Sequence, residues 1–197
     1  GGILLSNKFI KKQLDFIVTN IEITDIYEID KIRYGLEVFY GEFSKLIIMI
    51  LISFILDKFL AFVLMITLLM LIRPYIGGSH AKSYISCMIQ SNLSFILIYY
   101  LAYLIPSLHI ILQFIFILLC IMVIRKFKPI NPLRKTVNTQ FKNLKFKNFV
   151  TVILLIWFII SNVFLPKYYI NCGLLIIFYI IIDFLWEVCK NEKKAYG

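Results

Sequence analysis

The sequence has no CxxC pair, no HExxH, no GxxxxGKS/T loop and no GxxxG step in its 197 residues. The first two absences leave no thiolate or imidazole set at metal-ligand spacing, so no metal is expected. The third leaves no nucleotide-binding loop, and no cofactor is expected. The four cysteines, Cys87, Cys120, Cys172 and Cys189, lack the spacing of a disulfide framework. Cys120 sits inside an apolar run, as a small buried hydrophobe does. Cys172 and Cys189 lie near the ends of the last apolar run and read as bystanders. Acids are scarce, 11 against 21 bases, for a formal net charge of +10. No stretch interleaves basic and aromatic residues on a polar surface, so nucleic acid is not the expected partner of that charge. Lys8, Lys11, Lys12 and Asp15 interrupt the first apolar residues, so no cleavable leader is expected. Gly1 and Gly2, with no initiator Met, read as an expression remnant and are set aside.

What is present is apolar. Hydrophobic residues make up 61% of the chain and the mean hydropathy is +0.88. A soluble domain is closer to half apolar, and here Ile, Leu and Phe come in long runs that suit lipid-facing helices. The fold class expected is an all-α integral membrane protein. It would have six transmembrane helices, amphipathic helices at the N-terminus and a re-entrant or interfacial segment in between. The spans are expected at 39–56, 59–73, 88–105, 108–124, 148–165 and 168–187. Asp57-Lys58, Pro106-Ser107 and Pro166-Lys167 break them into tight hairpins. Before them, Leu5, Phe9, Ile10, Leu14, Ile17, Val18 and Ile21 recur at helical spacing with Lys and Asp between, the pattern of a surface-lying helix. A second helix, beginning near Thr24, leads through an acidic stretch into the first span. The domain division expected is 1–38 for the amphipathic helices, 39–189 for the membrane domain and 190–197 for a tail.

The basic residues test this topology. Six lie between Lys8 and Lys45, two in 73–87, eight in 125–147 and three in the tail, leaving only Lys58 and Lys167 for the other side. The positive-inside rule then puts both termini, the 73–87 segment and the 125–147 loop in the cytoplasm, facing anionic headgroups of a bilayer. An odd number of spans would destroy this asymmetry.

The segment Arg73-Pro74-Tyr75-Ile76-Gly77-Gly78-Ser79-His80-Ala81-Lys82-Ser83-Tyr84-Ile85-Ser86-Cys87 is the least lipid-like stretch before the basic loop. Pro74 and the two glycines break or kink a helix. His80 and Cys87 are seven residues apart, about 10 Å along a continuous helix. A break after His80 or a fold-back at Gly77-Gly78 would bring imidazole to sulfur. Cysteine attacks as the thiolate, and a neighbouring imidazole can take its proton and return it to a leaving amine. Ser83, Gln90, Ser91 or a backbone carbonyl could orient that imidazole. The alternative is that both residues are structural, as a lone His and Cys in a connecting segment usually are. Arg73 is either a snorkelling anchor, a ligand for a carboxylate or an organiser of the loop. The Gly77 and Gly78 amides suit a turn, or an oxyanion hole.

Residues 73–87, as Arg-x4-Gly-Ser-His-Ala-x5-Cys, resemble the signature of the accessory gene regulator B family, membrane peptidases of Gram-positive quorum sensing. The length, the six-span pattern and Lys128-Pro129-Ile130 within the basic loop agree, with Asn131-Pro132 as a departure. The resemblance implies that His80 and Cys87 are the catalytic pair and that Arg73 and Gly78 belong to the motif. It implies a cysteine endopeptidase that cuts an AgrD-like precursor peptide at its C-terminal side. An acyl-thioester on Cys87 would then be attacked by an internal Cys or Ser to close a thiolactone or lactone ring. A homodimer in a bacterial cell membrane is implied as well.

The remaining charges divide more evenly between roles. Arg125, Lys126, Lys128, Arg134 and Lys135 suit a cytoplasmic loop obeying the positive-inside rule, or contacts to an acidic precursor tail and anionic lipid. Asp183 and Glu187 sit one turn apart near the end of the last span, close enough to the cytoplasmic end to be solvated. His109 lies on the other side. Two other functions compete with the peptidase: a small peptide transporter or exporter, and a non-catalytic membrane assembly factor.

Overall fold

The computed structural model describes residues 2–21, 25–78, 84–127 and 139–196. Among these are seven helices and no strand: α1 (Gly2–Ile21), α2 (Ile26–Ile55), α3 (Phe59–Ile76), α4 (Tyr84–Leu104), α5 (Ile110–Lys126), α6 (Thr139–Phe164) and α7 (Lys167–Tyr196). The chain divides into two compact units, Gly1–Ile52 and Ser53–Gly197.

In the first unit α1 is the amphipathic helix the periodicity predicts, with Ile10 buried and Phe9 meeting Tyr40 of α2 edge to face, ring centroids 5.2 Å apart. Asp25 starts α2 by accepting a bond from the Tyr27 amide through Oδ1 at 2.9 Å. The expected start near Thr24 lies outside the described residues. The acidic stretch is helical, and Arg33 pairs with Asp30 and Glu37 on adjacent turns.

In the second unit the hairpins fall where the sequence places them. Asp57 takes φ 54, and the Lys58 amide returns to Ser53 O at 2.8 Å, closing the turn between α2 and α3. Pro166 separates α6 from α7. The hub is α7, which packs against α3, α4, α5 and α6. Half of its membrane-length window is buried, against a third or less in the other spans, so α7 is the core helix and its neighbours turn one side to lipid. Gly173 makes one of these contacts possible. A methyl group there would collide with the indole of Trp157 on α6. Three amide side chains near this end find partners in backbone or in one another. Asn171 Nδ2 donates to Ala102 O at 3.2 Å and Ile105 O at 2.9 Å, closing the last turn of α4. Asn162 Nδ2 donates to Gln113 Oε1 at 3.1 Å, joining α6 to α5. An unsatisfied group in hydrocarbon is costly, and these bonds remove that cost.

Among the described residues five helices are long and apolar enough to cross a membrane: Ile26–Ile55, Phe59–Ile76, Ser86–Leu104, Leu144–Phe164 and Lys167–Lys190. The chain is thus an all-α, multi-pass membrane protein. α5 occupies the place of the span expected at 108–124 but has 17 residues, about 25 Å at helical rise against a hydrocarbon core of about 30 Å. The count of six does not follow from length alone.

Gly173→Ala should destabilise the second unit by about 1–3 kcal/mol, the usual range for overpacking. Unfolding in detergent, followed by tryptophan fluorescence, checks this, and adding Trp157→Phe should recover part of the loss.

Candidate active site at the end of α3

α3 runs through Pro74 and stops at Ile76, so it reaches further into the motif than the expected boundary at residue 73. Gly77 is the reason it stops there. Its φ of 87° with ψ of −175° is a backbone region that side chains other than glycine's avoid. Its amide donates to Arg73 O at 2.9 Å, which closes the last turn. Tyr75 fixes this end against α6 through Phe146 and Phe149, with ring centroids 5.5 and 4.6 Å away. Lys147 Nζ donates to Arg125 O at 2.7 Å and so caps α5 from α6.

One contact at this end was not anticipated. Arg73 Nη2 lies 3.3 Å from Asp183 Oδ2, joining the last turn of α3 to α7 across 110 residues of sequence. The Asp183 side chain is only 10% exposed and that of Arg73 29%. The expectation that Asp183 is solvated at the helix end is therefore wrong. Glu187 is also largely covered and pairs with Lys190 at 3.4 Å. The available signal was a pair of acids inside an otherwise apolar run, and its partner could not be read from spacing. The pairing gives Arg73 a structural place as the link between α3 and α7.

Gly78 sits against this ion pair. A methyl group at its Cα would collide with Asp183 Oδ2 and stand 3.0 Å from Arg73 Nε. The two motif glycines thus have separate reasons: Gly77 supplies the positive φ and Gly78 supplies room for the charges.

Cys87 lies in the first turn of α4 and is half-buried. Gln90 and Ser91 follow it by three and four residues on the same side of the helix, Gln90 exposed and Ser91 half-buried. His80 and Ser83 fall outside the described residues, and so does the reach from His80 to Cys87. Arg125 and Lys126 are exposed in the last turn of α5, where their charge suits the helix dipole. Lys128, Arg134 and Lys135 fall outside the described residues. Exposed His109 caps the start of α5 at the far end of that helix from Arg125. No group of three or more His, Cys, Asp or Glu side chains is placed to hold a metal among the described residues.

Gly77→Ala should cost about 1–3 kcal/mol through backbone strain, and Gly78→Ala a similar amount by forcing the ion pair apart. Replacing Arg73 and Asp183 together by Ala, which makes room for the new methyl, should relieve the Gly78→Ala penalty and leave that of Gly77→Ala unchanged. Unfolding midpoints of the five variants in one detergent distinguish the two causes.

The sequence profile of the family described as accessory gene regulator B matches residues 7–188. A putative AgrB-like protein of Clostridium beijerinckii is 30% identical over 153 residues, which is 78% of this chain and 75% of that protein. Accessory gene regulator protein B of Staphylococcus aureus strain JH9 is 39% identical over 70 residues, 36% of this chain and 37% of the relative. Putative AgrB-like protein 1 of Clostridium perfringens is 32% identical over 84 residues, 43% of this chain and 44% of the relative. No solved structure matches the chain significantly. With a match that runs from α1 into the last turns of α7, the chain belongs to the accessory gene regulator B family.

Proposed function

We propose that this protein is a membrane cysteine endopeptidase that cleaves an AgrD-like precursor peptide and promotes closure of its ring. The observation that carries the reading is the position of Cys87. The last residue of the family-type motif stands half-buried in the first turn of a span, at the same end as the Arg73–Asp183 pair. A nucleophile there meets a peptide lying along the membrane surface without entering the hydrocarbon.

The proposed steps balance as follows. His80 takes the Cys87 thiol proton, and the sulfur attacks the precursor carbonyl. The C–N bond breaks as the C–S bond forms, and the proton passes from His80 to the leaving amine of the C-terminal tail. A thiol or hydroxyl inside the precursor then attacks the thioester carbonyl. The ring leaves as a thiolactone or lactone, and the proton of the attacking group returns to the Cys87 sulfur. Gln90, Ser91 and Ser83 are candidates for orienting His80. Arg125, Lys126, Lys128, Arg134 and Lys135 are candidates for holding the acidic tail or anionic lipid.

The same reading has α5 as a sixth crossing, because the basic residues separate onto one face only with an even number of spans. Both termini and the site are then cytoplasmic, and the working form is a homodimer. A helix about 5 Å shorter than the hydrocarbon core is accommodated by local thinning of the bilayer or by snorkelling of Arg125 and Lys126.

Purified protein in lipid vesicles, mixed with a precursor encoded beside its gene, should gain an acyl adduct on Cys87. The adduct should be lost on hydroxylamine treatment and absent in Cys87→Ala, and His80→Ala should slow its formation by at least about 100-fold. No adduct and no released tail from a precursor shown to bind would reject the peptidase. The orientation has its own reporter, because Cys189 is exposed on α7. A membrane-impermeant maleimide should label it in Cys87→Ala cells only after permeabilisation, and labelling of intact cells would invert the topology.

A further inference from the structure

We propose that Asp183 is a positioning residue for the reaction at Cys87, acting through Arg73 on Gly78. The inference deepens the peptidase reading above and rests on it. An acid in the interior of an apolar helix is costly unless a partner compensates it. Asp183 is nearly covered and its carboxylate faces the Arg73 guanidinium at 3.3 Å. Both charged groups press on the Cα of Gly78, with no space for a methyl group between. Gly78 is therefore flanked by side chains of α3 and α7 that leave no room for a larger residue. By sequence it stands two residues before His80 and nine before Cys87. The same helix α7 packs against α3 and α4, the helices on either side of the motif segment. One carboxylate thus ties the departure point of that segment to the helix that also supports the nucleophile.

A merely structural pair would serve as well in apolar form, since well-packed hydrophobic residues commonly replace a buried ion pair without loss. Contact of both charges with a motif glycine argues for a geometric role. Small misplacement of a reacting group costs turnover far more than it costs binding.

The test uses the full chain in vesicles with the same precursor. Asp183→Asn keeps the shape and removes the charge. Its kcat for tail release should fall at least about tenfold while KM stays within about threefold. Gly78→Ala should do the same. The double variant should be no slower than the worse single, because both substitutions disturb one contact. Normal kcat in Asp183→Asn, or losses that multiply in the double variant, would overturn the proposal. A fall in folded yield with normal kcat per folded molecule would overturn it as well, since that marks a structural pair. Amide hydrogen exchange of the peptide spanning residues 77–87 gives a readout that needs no substrate. It should quicken in Asp183→Asn, and unchanged exchange rejects the anchoring. If the wild-type protein leaves a bound precursor intact, the peptidase reading fails. The exchange result then decides alone whether Asp183 holds Gly78.

Discussion

A carboxylate and a guanidinium placed between apolar helices need compensation for the water they lose, and at the motif end of this protein they face each other. Removing either charge from water is costly, and leaving one behind without its partner costs about 3–5 kcal/mol in buried pairs. Arg73 retains more water than Asp183, so its own share is discounted for solvent screening. The asymmetry is informative. The acid is the dependent member, fixed deep on the hub helix, and the base is the member that reaches to it from a span end. The last turn of α3 is consequently tied to α7, and α7 is in turn packed against every other helix from α3 to α6.

The two ends of the second unit solve the problem of buried polarity in different ways. At the end away from the motif, amide side chains close helix termini. Asn171 binds the carbonyls that α4 leaves open, and Asn162 joins Gln113. Neutral groups of this kind fix helices at little electrostatic cost. At the motif end the holding force is charge, the space is made by glycines, and a half-buried cysteine begins the next helix. Backbone strain and ionic pairing at this end suit the role proposed for Cys87.

Much of this was legible in the sequence, for definable reasons. Helix ends are local events, so Asp57-Lys58, Pro166-Lys167 and Gly77 marked breaks that the structure places at or within a few residues of the expected positions. The amphipathic first helix and the long apolar runs follow from periodicity. The family followed from fifteen residues, 73–87, because that segment combines glycines, His and Cys at fixed intervals. The Arg73–Asp183 pair was not legible. Its members are 110 residues apart, and no periodicity within one helix says which other helix it faces. Distance from a span end was taken as a measure of hydration, but hydration at a helix end depends on what is packed beside it. The number of crossings was also underdetermined, because α5 is about two residues per side short of a comfortable span while charge asymmetry calls for it.

For the proposed reaction, the position of these charges bears on its direction. Exchanging an amide for a thioester is uphill, and the chain carries no nucleotide-binding loop that would couple the step to phosphate release. The acyl-enzyme advances only if the tail leaves before it can attack back. An acidic tail therefore has to be attracted weakly. A desolvated basic pocket would hold it and favour the reverse reaction. Arg125 and Lys126 are exposed at the end of α5, where ion pairs are screened by salt and worth about 1 kcal/mol or less. That strength is enough to raise the local concentration of precursor and too little to retain a cleaved tail. Arg73, partly covered in the last turn of α3, has a carboxylate of the protein's own beside it. In the proposed reaction Asp183 would compete with the carboxylates of the departing peptide for that guanidinium.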